Sequence, residues 1–182
     1  MVHIVHLWKR ILKGFKENKI EFSSTLIYFY FKSKDEILYI LYLEGYQKLF
    51  ERLEETRKIS NPLKRFEEAL KVSIDFSIDQ PEYFYLMLSI RPESQVSEFK
   101  WDQSLRVKEF FSDIGKEAAS MGYIESKDLD LLILTTWAYE HGISSLFAIS
   151  RNNDFPFALN REILYQSLKF YMKLITKKKK PT

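Results

Sequence analysis

The sequence contains no cysteine, and its 182 residues include only five glycines and five prolines. The absence of cysteine excludes disulfides, thiolate catalysis and every cysteine-ligated zinc or iron–sulfur site. The small number of glycines and prolines leaves little material for the tight turns that an all-β fold needs at its corners. We therefore expect an all-α protein.

Signals for a membrane or secreted protein are also missing. No apolar run reaches the roughly 18 residues needed to cross a bilayer. The first ten residues, MVHIVHLWKR, place the basic side chains after the apolar ones, which is the wrong order for a secretory signal. Because 46% of the residues are hydrophobic, the chain can bury a sizeable core. We expect a globular, cytoplasmic protein without a membrane partner.

Catalytic motifs are absent as well. The sequence has no Gly-x-Ser-x-Gly, Gly-x-x-x-x-Gly-Lys-Ser/Thr, His-Glu-x-x-His or Gly-x-Gly-x-x-Gly pattern. Adjacent carboxylates such as Glu54 and Glu55 point in different directions on a helix, so they do not form a catalytic dyad. His3 and His6 lack a spaced partner that would complete a metal site. We expect no enzyme activity, no cofactor and no metal.

Positive charge is concentrated in residues 1–34, which hold seven lysine and arginine side chains and two glutamates. This segment therefore has a net charge of +5, and the remainder of the chain has −2, against +3 for the whole. A basic N-terminal segment on an acidic body indicates a contact with phosphates. A solvated helix face accounts for the charge equally well.

Helical periodicity begins near the N-terminus. Apolar residues at helical spacing predict short helices over residues 5–18 and 24–31. The sequence Ser33-Lys34-Asp35-Glu36 matches a capping box, in which the serine oxygen accepts from the amide three residues on. A long helix should therefore start at Lys34.

The later helices are marked by their own start and stop residues. Asn61 followed by Pro62 is typical of a helix start, and Gly122 is typical of a helix end. The helices expected after residue 33 span about 34–58, 62–78, 81–90, 94–121, 127–150 and 159–177.

The stretch LIYFYFKSKDEIL, residues 26–38, joins an aromatic pattern to the capping box. It resembles TetR-family transcriptional regulators, in which the recognition helix ends in Tyr-x-Tyr/His-Phe. Thirteen contiguous residues agree in type, and the order of helices without strands fits the regulatory domain of that family. The resemblance implies a short N-terminal helix-turn-helix-like DNA-binding segment, residues 1–36, followed by a helical ligand-binding and dimerisation domain, residues 37–182.

The resemblance also implies which residues contact DNA. Phosphates accept hydrogen bonds from tyrosine hydroxyls and from amides at a helix N-terminus, which suits Tyr28 and Lys34. The residues that open the recognition helix would lie near base edges. Alternatively, the tyrosines form an aromatic plug between the two domains. The candidate DNA-binding residues are Ser23, Ser24, Thr25, Tyr28, Tyr30 and Lys34.

One departure from the family precedes the recognition helix. A complete helix-turn-helix needs a supporting helix there, but FKENKIEFSST leads directly into LIYFYF, and about fifteen residues of the pattern have no counterpart. Three explanations stay open: the given chain omits a stretch, the gene has lost it, or a short variant works. If the loss is real, the recognition helix lacks its support and specific DNA binding is weakened.

Aromatic residues are dense on the middle helices. Such side chains line apolar ligand pockets that contain a few polar orienting groups, although aromatic stripes are also common in ordinary cores. His141, next to Glu140 in the most apolar helix, suits the polar end of a ligand, and its alternative role is purely structural. The candidate ligand-binding residues are Tyr85, Trp101, Phe111, Trp137, Tyr139 and His141.

The last two helices have the pattern of a dimer interface. The final helix carries a continuous apolar stripe, and small residues in the preceding helix, such as Gly142 and Ser145, would let a partner approach closely. The resemblance implies pairing through these two helices as a four-helix bundle. The alternative is that the stripe belongs to the intramolecular core. The candidate interface residues are Ile163, Leu164, Ser167, Leu168, Tyr171 and Met172.

These expectations combine into one function. We expect a TetR-like, DNA-binding transcriptional repressor that acts as a homodimer. A small apolar or amphipathic ligand would control its binding to operator DNA. The alternative, which follows from the incomplete helix-turn-helix, is a helical ligand-binding dimer that has lost specific DNA binding.

Overall fold

The computed structural model describes Phe31 and residues 33–89, 102–124, 129–150 and 159–176. Within these residues the chain forms six α-helices and no strand, which confirms the expected all-α class. A short 3-10 turn, Thr56–Lys58, follows the first helix. The helices are α1 (Lys34–Glu55), α2 (Pro62–Asp79), α3 (Pro81–Ser89), α4 (Asp102–Ser120), α5 (Leu129–Ser150) and α6 (Arg161–Ile175).

The predicted helix ends are formed by local hydrogen bonds. The Ser33 hydroxyl accepts from the backbone N–H of Glu36 at 3.2 Å, and the Asn61 side chain accepts from the N–H of Lys64 at 3.0 Å. These bonds satisfy amides that have no partner within the helix. Gly122 has a φ of 75°, the left-handed conformation that ends α4. The two predicted helix starts and the predicted helix end are therefore confirmed.

Other predicted boundaries shift by a few residues. Helix α1 ends at Glu55 and continues as the 3-10 turn, and α6 begins at Arg161 rather than at residue 159. Asn160 is the N-cap of α6, because its side chain accepts from the backbone N–H of Ile163 at 3.0 Å. The helices expected at residues 5–18 and 24–31, and the predicted start near residue 94, lie outside the described residues.

Helix α2 lies at the centre of the fold and contacts each of the five other helices. Its apolar side chains point in several directions, and Phe66, Leu70, Ile74 and Phe76 are at most 1% exposed. Burial of each such side chain stabilises the fold by about 1.5–3 kcal/mol relative to its exposure to water. The core is therefore a layer of helices arranged around α2.

Charged side chains fix the start of α6 against the end of α2. The Arg161 guanidinium donates to Asp75 at 2.5 Å and to Asp79 at 2.7 Å. The Tyr165 hydroxyl donates to the same Asp75 carboxylate. Because one arginine bridges carboxylates one helical turn apart, it sets the register of α6 on α2.

None of the described helices combines the length and apolarity that a bilayer span requires.

Replacement of Asn160 tests the cap of α6. We expect Asn160→Ala to lower the free energy of unfolding by about 1 kcal/mol, because the amide of Ile163 loses its acceptor. Asn160→Asp keeps an acceptor at this position and should retain the stability of the unmodified protein. Urea denaturation followed by circular dichroism measures both variants. An equal loss in the two variants would contradict the capping role.

Candidate functional site

A cavity of about 100 Å³ lies among α1, α2, α3, α4 and α5. Each of these helices contributes one or more apolar side chains to its wall. Its volume is smaller than the roughly 300–1,000 Å³ of pockets that hold drug-sized ligands. The apolar wall consists of Leu49, Leu70, Phe76, Phe84, Met87, Leu88, Val107, Phe111 and Trp137.

Polar groups also line this cavity, and half of them come from α5. Thr136 and Glu140 are four residues apart, as are Trp137 and His141, so two successive turns of α5 face the cavity. The Thr136 hydroxyl also hydrogen-bonds to the Tyr171 hydroxyl of α6 at 2.8 Å. The polar lining consists of Tyr46, Ser73, Ser104, Thr136, Glu140 and His141.

Glu140 and His141 form a pair in the wall of the cavity, and we call this part of the wall its polar end. His141 Nδ1 lies 2.9 Å from Glu140 Oε2 and 2.8 Å from the carbonyl oxygen of Trp137. Both partners are acceptors, so Nδ1 carries a proton and donates it. In the neutral ring, Nε2 is consequently an acceptor.

Burial and neighbouring groups shift the pKa values of two residues at this end of the cavity. Burial lowers the pKa of His141, but the hydrogen bond and charge of Glu140 and the carbonyl of Trp137 together raise it above its ordinary value. Burial raises the pKa of Tyr46, and the neighbouring Tyr42 and Glu140 raise it further. Tyr46 is therefore a neutral hydroxyl near neutral pH, whereas His141 gains its proton more easily than a free histidine.

The structure brings together part of the predicted ligand site. Phe111, Trp137 and His141 line the cavity, but Tyr85 and Tyr139 do not. Tyr139 instead stacks on Tyr171 of α6, with ring centroids 4.3 Å apart and an interplanar angle of 3°. Its hydroxyl donates to Ser167 at 3.2 Å, so it joins α5 to α6. Trp101 lies outside the described residues.

Twelve of the fifteen residues that line the cavity were not among the predicted ligand-binding residues, and three of them show why. Tyr46 faces it from α1, Phe84 from α3 and Ser104 from α4. Helical periodicity places each of these residues on an inner face but does not reveal which inner faces leave a space between them. Glu140 did carry a signal, since a carboxylate in a strongly apolar helix needs a partner when it is buried.

The apolar stripe of α6, which was expected to form the dimer interface, lies on the inner face of the helix. Leu164, Leu168, Tyr171 and Met172 are at most 9% exposed and pack into the core of the protomer. Ser167 accepts from Tyr139, as described above, and Ile163 is 38% exposed. The four buried residues cannot form a surface between protomers, because α2 and α5 already cover them. The stripe is apolar because it faces the intramolecular core.

A second apolar surface lies on the outer sides of α5 and α6. Its side chains are large, and their exposure reaches 68% at Leu174 and 64% at Phe170. Within each helix they recur at helical spacing on one face, which is typical of a contact with another protein surface. We call this set the outer apolar surface. It consists of Leu131, Leu134, Leu146, Ile149, Ile163, Phe170 and Leu174.

Of the candidate DNA-binding residues, Lys34 alone lies within the described part of the chain. It is exposed in the first turn of α1, directly after the N-cap Ser33. The positive end of the helix and the lysine ammonium suit a phosphate, but Asp35 and Glu36 occupy the same turn and oppose it. Ser23, Ser24, Thr25, Tyr28 and Tyr30 lie outside the described residues.

No group of three or more histidine, aspartate and glutamate side chains able to hold a metal occurs in the described ranges. A larger, shallow groove of about 560 Å³ lies between α2 and α6. Lysines and glutamates both line it, so it favours no ligand of one charge. The cavity at Glu140 and His141 is consequently the stronger candidate site.

The arrangement of these helices defines the class. The chain has the fold of TetR-family regulators, as its likeness to solved structures shows. No protein-family model and no curated protein matches the sequence.

Three solved structures illustrate this likeness. A regulatory protein of the TetR family from Rhodococcus RHA1 superposes with a TM-score of 0.64 at 14% identity, covering 87% of this chain and 82% of that one. The TetR-family transcriptional regulator PfmR from Thermus thermophilus gives 0.58 at 19% identity, with 87% and 84% covered. A protein of unknown function from Rhodococcus sp. RHA1 gives 0.66 at 21% identity, with 81% and 77% covered.

The raised pKa of His141 predicts a pH dependence of stability. A group whose pKa is higher in the folded than in the unfolded state stabilises the fold fully below the unfolded pKa, which is about 6.5 for histidine. This contribution is lost as the pH rises through the folded pKa. We expect the unmodified protein to lose more stability than His141→Gln between pH 6 and pH 9, as measured by urea denaturation. Parallel losses would contradict the assignment.

Proposed function

We propose that this chain is a TetR-family transcriptional repressor that binds operator DNA as a homodimer and responds to a small apolar or amphipathic ligand. The observation that carries the proposal is the continuity between the LIYFYFKSK segment, the capping box at Ser33 and a helical body with the TetR fold. Residues 1–36 form the DNA-binding segment in this proposal, and residues 37–182 form the ligand-binding and dimerisation domain.

The proposed DNA contacts remain those of the N-terminal segment. In this proposal Tyr28 and Lys34 bind phosphates, and Tyr30 joins these contacts. The three residues from Ser23 to Thr25 approach base edges. Lys34 supports this assignment because it is exposed at the start of α1, where the helix dipole adds to its charge. Two such segments in a dimer reach successive major grooves when they lie about 34–36 Å apart.

Helix α1 is the proposed link between ligand and DNA. It begins next to the DNA-binding segment, and its later turns contribute Tyr46 and Leu49 to the cavity. At Gly45 it approaches α3 so closely that an added Cβ would lie 2.9 Å from Met87 Sδ. Because the cavity is small, a ligand larger than a single ring displaces α3, and α1 must then follow.

The outer apolar surface is the proposed dimer interface. Its residues come from the two helices that sequence analysis assigned to pairing, but from their outward faces. Ile163 belongs to both the predicted set and this surface, and Ser167 lies one turn along α6. Pairing across a two-fold axis would bury Phe170 and Leu174 of both protomers.

Lys34→Ala tests the phosphate contact. We expect weaker binding to all DNA sequences alike and a salt dependence whose slope falls by about one, because one fewer counterion is released. Lys116→Ala is the control, since Lys116 is an exposed lysine on α4, in the ligand domain. Fluorescence anisotropy at several salt concentrations measures both variants.

The DNA used in this experiment decides between the two functions. One duplex carries a palindrome from the region upstream of the gene, and the other has the same composition in random order. A regulator binds the palindrome more tightly at physiological salt. Equal binding of the two duplexes would overturn the repressor proposal and favour the helical ligand-binding dimer without specific DNA recognition.

Phe170→Glu and Leu168→Glu distinguish the two faces of α6. Phe170 is 64% exposed, so a glutamate there leaves the protomer folded but places a charge in the proposed interface. We expect this variant to sediment as a monomer at micromolar concentration, whereas the unmodified protein sediments as a dimer. Leu168 is 2% exposed, and its replacement by glutamate should unfold the chain. A dimeric Phe170→Glu variant would place the interface elsewhere.

A further inference from the structure

The pair of Glu140 and neutral His141 offers hydrogen-bond acceptors to the cavity. Glu140 is 9% exposed, and within the described residues His141 is the one side chain that hydrogen-bonds to its carboxylate. The Nδ1 proton of His141 is already directed to Glu140 and to the carbonyl of Trp137. Neutral His141 therefore offers only Nε2, which accepts. A ligand that satisfies both residues has to donate hydrogen bonds.

The walls next to this pair favour a positive charge. The rings of Phe84 and Trp137 lie with their centroids 6.2 Å and 6.5 Å from that of His141. The face of an aromatic ring attracts cations, and the attraction grows when the cation is removed from water. A buried carboxylate also attracts a cation and repels an anionic ligand, because charges interact strongly in surroundings of low polarity.

We propose that the cavity binds a compact organic ammonium ion, whose N–H groups donate to the Glu140 carboxylate and to Nε2 of His141. The apolar part of the ligand lies against Phe84 and Trp137. The cavity volume of about 100 Å³ limits that part to one small ring or a short chain. The side chain of His141 is 42% exposed, which leaves this end open to solvent. The inference rests on the proposed role of the cavity as the ligand site.

The ammonium ion competes with the proton of His141. An imidazolium repels the ligand, and its Nε2–H can no longer accept a hydrogen bond. The other titratable groups that line the cavity are Tyr46 on α1 and Glu140 on α5, while α2, α3 and α4 contribute none. Affinity should therefore increase as the pH rises through the pKa of His141 and level off above it.

Three isosteric probes separate charge from shape: benzylammonium, benzyl alcohol and benzoate. Each is titrated by calorimetry into the full chain at pH 8 without DNA. We expect benzylammonium to bind at least about tenfold more tightly than benzyl alcohol, since its hydrogen bond to Glu140 is charge-assisted. Benzoate should bind more weakly than either. Tightest binding of benzoate, equal binding of all three probes, or binding of none would overturn the proposal.

Two variants test whether Glu140 causes the preference for benzylammonium. Glu140→Gln keeps the shape of the side chain but removes its charge, so the preference for benzylammonium over benzyl alcohol should fall to about twofold. Glu109→Gln is the matched control, because Glu109 is exposed on α4, and it should leave the preference unchanged. A preference that survives in Glu140→Gln would overturn the proposal.

The pH profile of the unmodified protein provides a test that needs no variant, should Glu140→Gln fail to fold in thermal melting. The affinity for benzylammonium should rise between pH 6 and pH 8, where the probe stays protonated, and His141→Gln should remove this rise. A flat or falling profile would overturn the proposal. Because no DNA is present, binding of benzylammonium stands even if the palindrome experiment fails, and the two failures are distinguishable.

Discussion

The burial of α2 is the constraint on which the rest of the structure depends. A helix that contacts five neighbours needs a broad apolar face, and α2 provides one with Phe66, Leu70, Ile74 and Phe76, while its charged side chains lie on the opposite side. The neighbours cannot all approach it equally, because helices of fixed diameter leave gaps where three or more of them meet. The cavity is such a gap, with Leu70, Ser73 and Phe76 of α2 on one side of it.

Local chemistry explains why the helices could be predicted from the sequence. A cap such as Ser33 or Asn61 needs only a side chain and an amide three residues on, and both are visible in the sequence. Periodicity likewise identified the apolar face of α6, but it does not say which surface covers that face. Leu164 and Leu168 were therefore predicted to lie in a dimer interface, with the core as the alternative, and the structure places them in the core.

The candidate site was less predictable because it joins residues that are distant in the chain. Tyr46 and His141 come from different helices, and the space between them depends on how α1, α3 and α5 pack. Tyr139 was predicted to line the cavity and does not, and the reason is again how the helices pack. It lies two residues from Trp137, about 200° around the helix, and therefore faces α6. Adjacent aromatics on one helix belong to different surfaces for this reason.

Helix α5 serves three surfaces at once. Glu140 and His141 face the cavity, Tyr139 contacts α6, and Leu134 and Ile149 are exposed on the outer side. Thr136 belongs to two of these surfaces, because it lines the cavity and bonds to Tyr171. A substitution in α5 that changes one surface therefore disturbs another. Divergence of ligand preference among related chains is accordingly constrained on α5, because a new side chain at the cavity also changes the contact with α6.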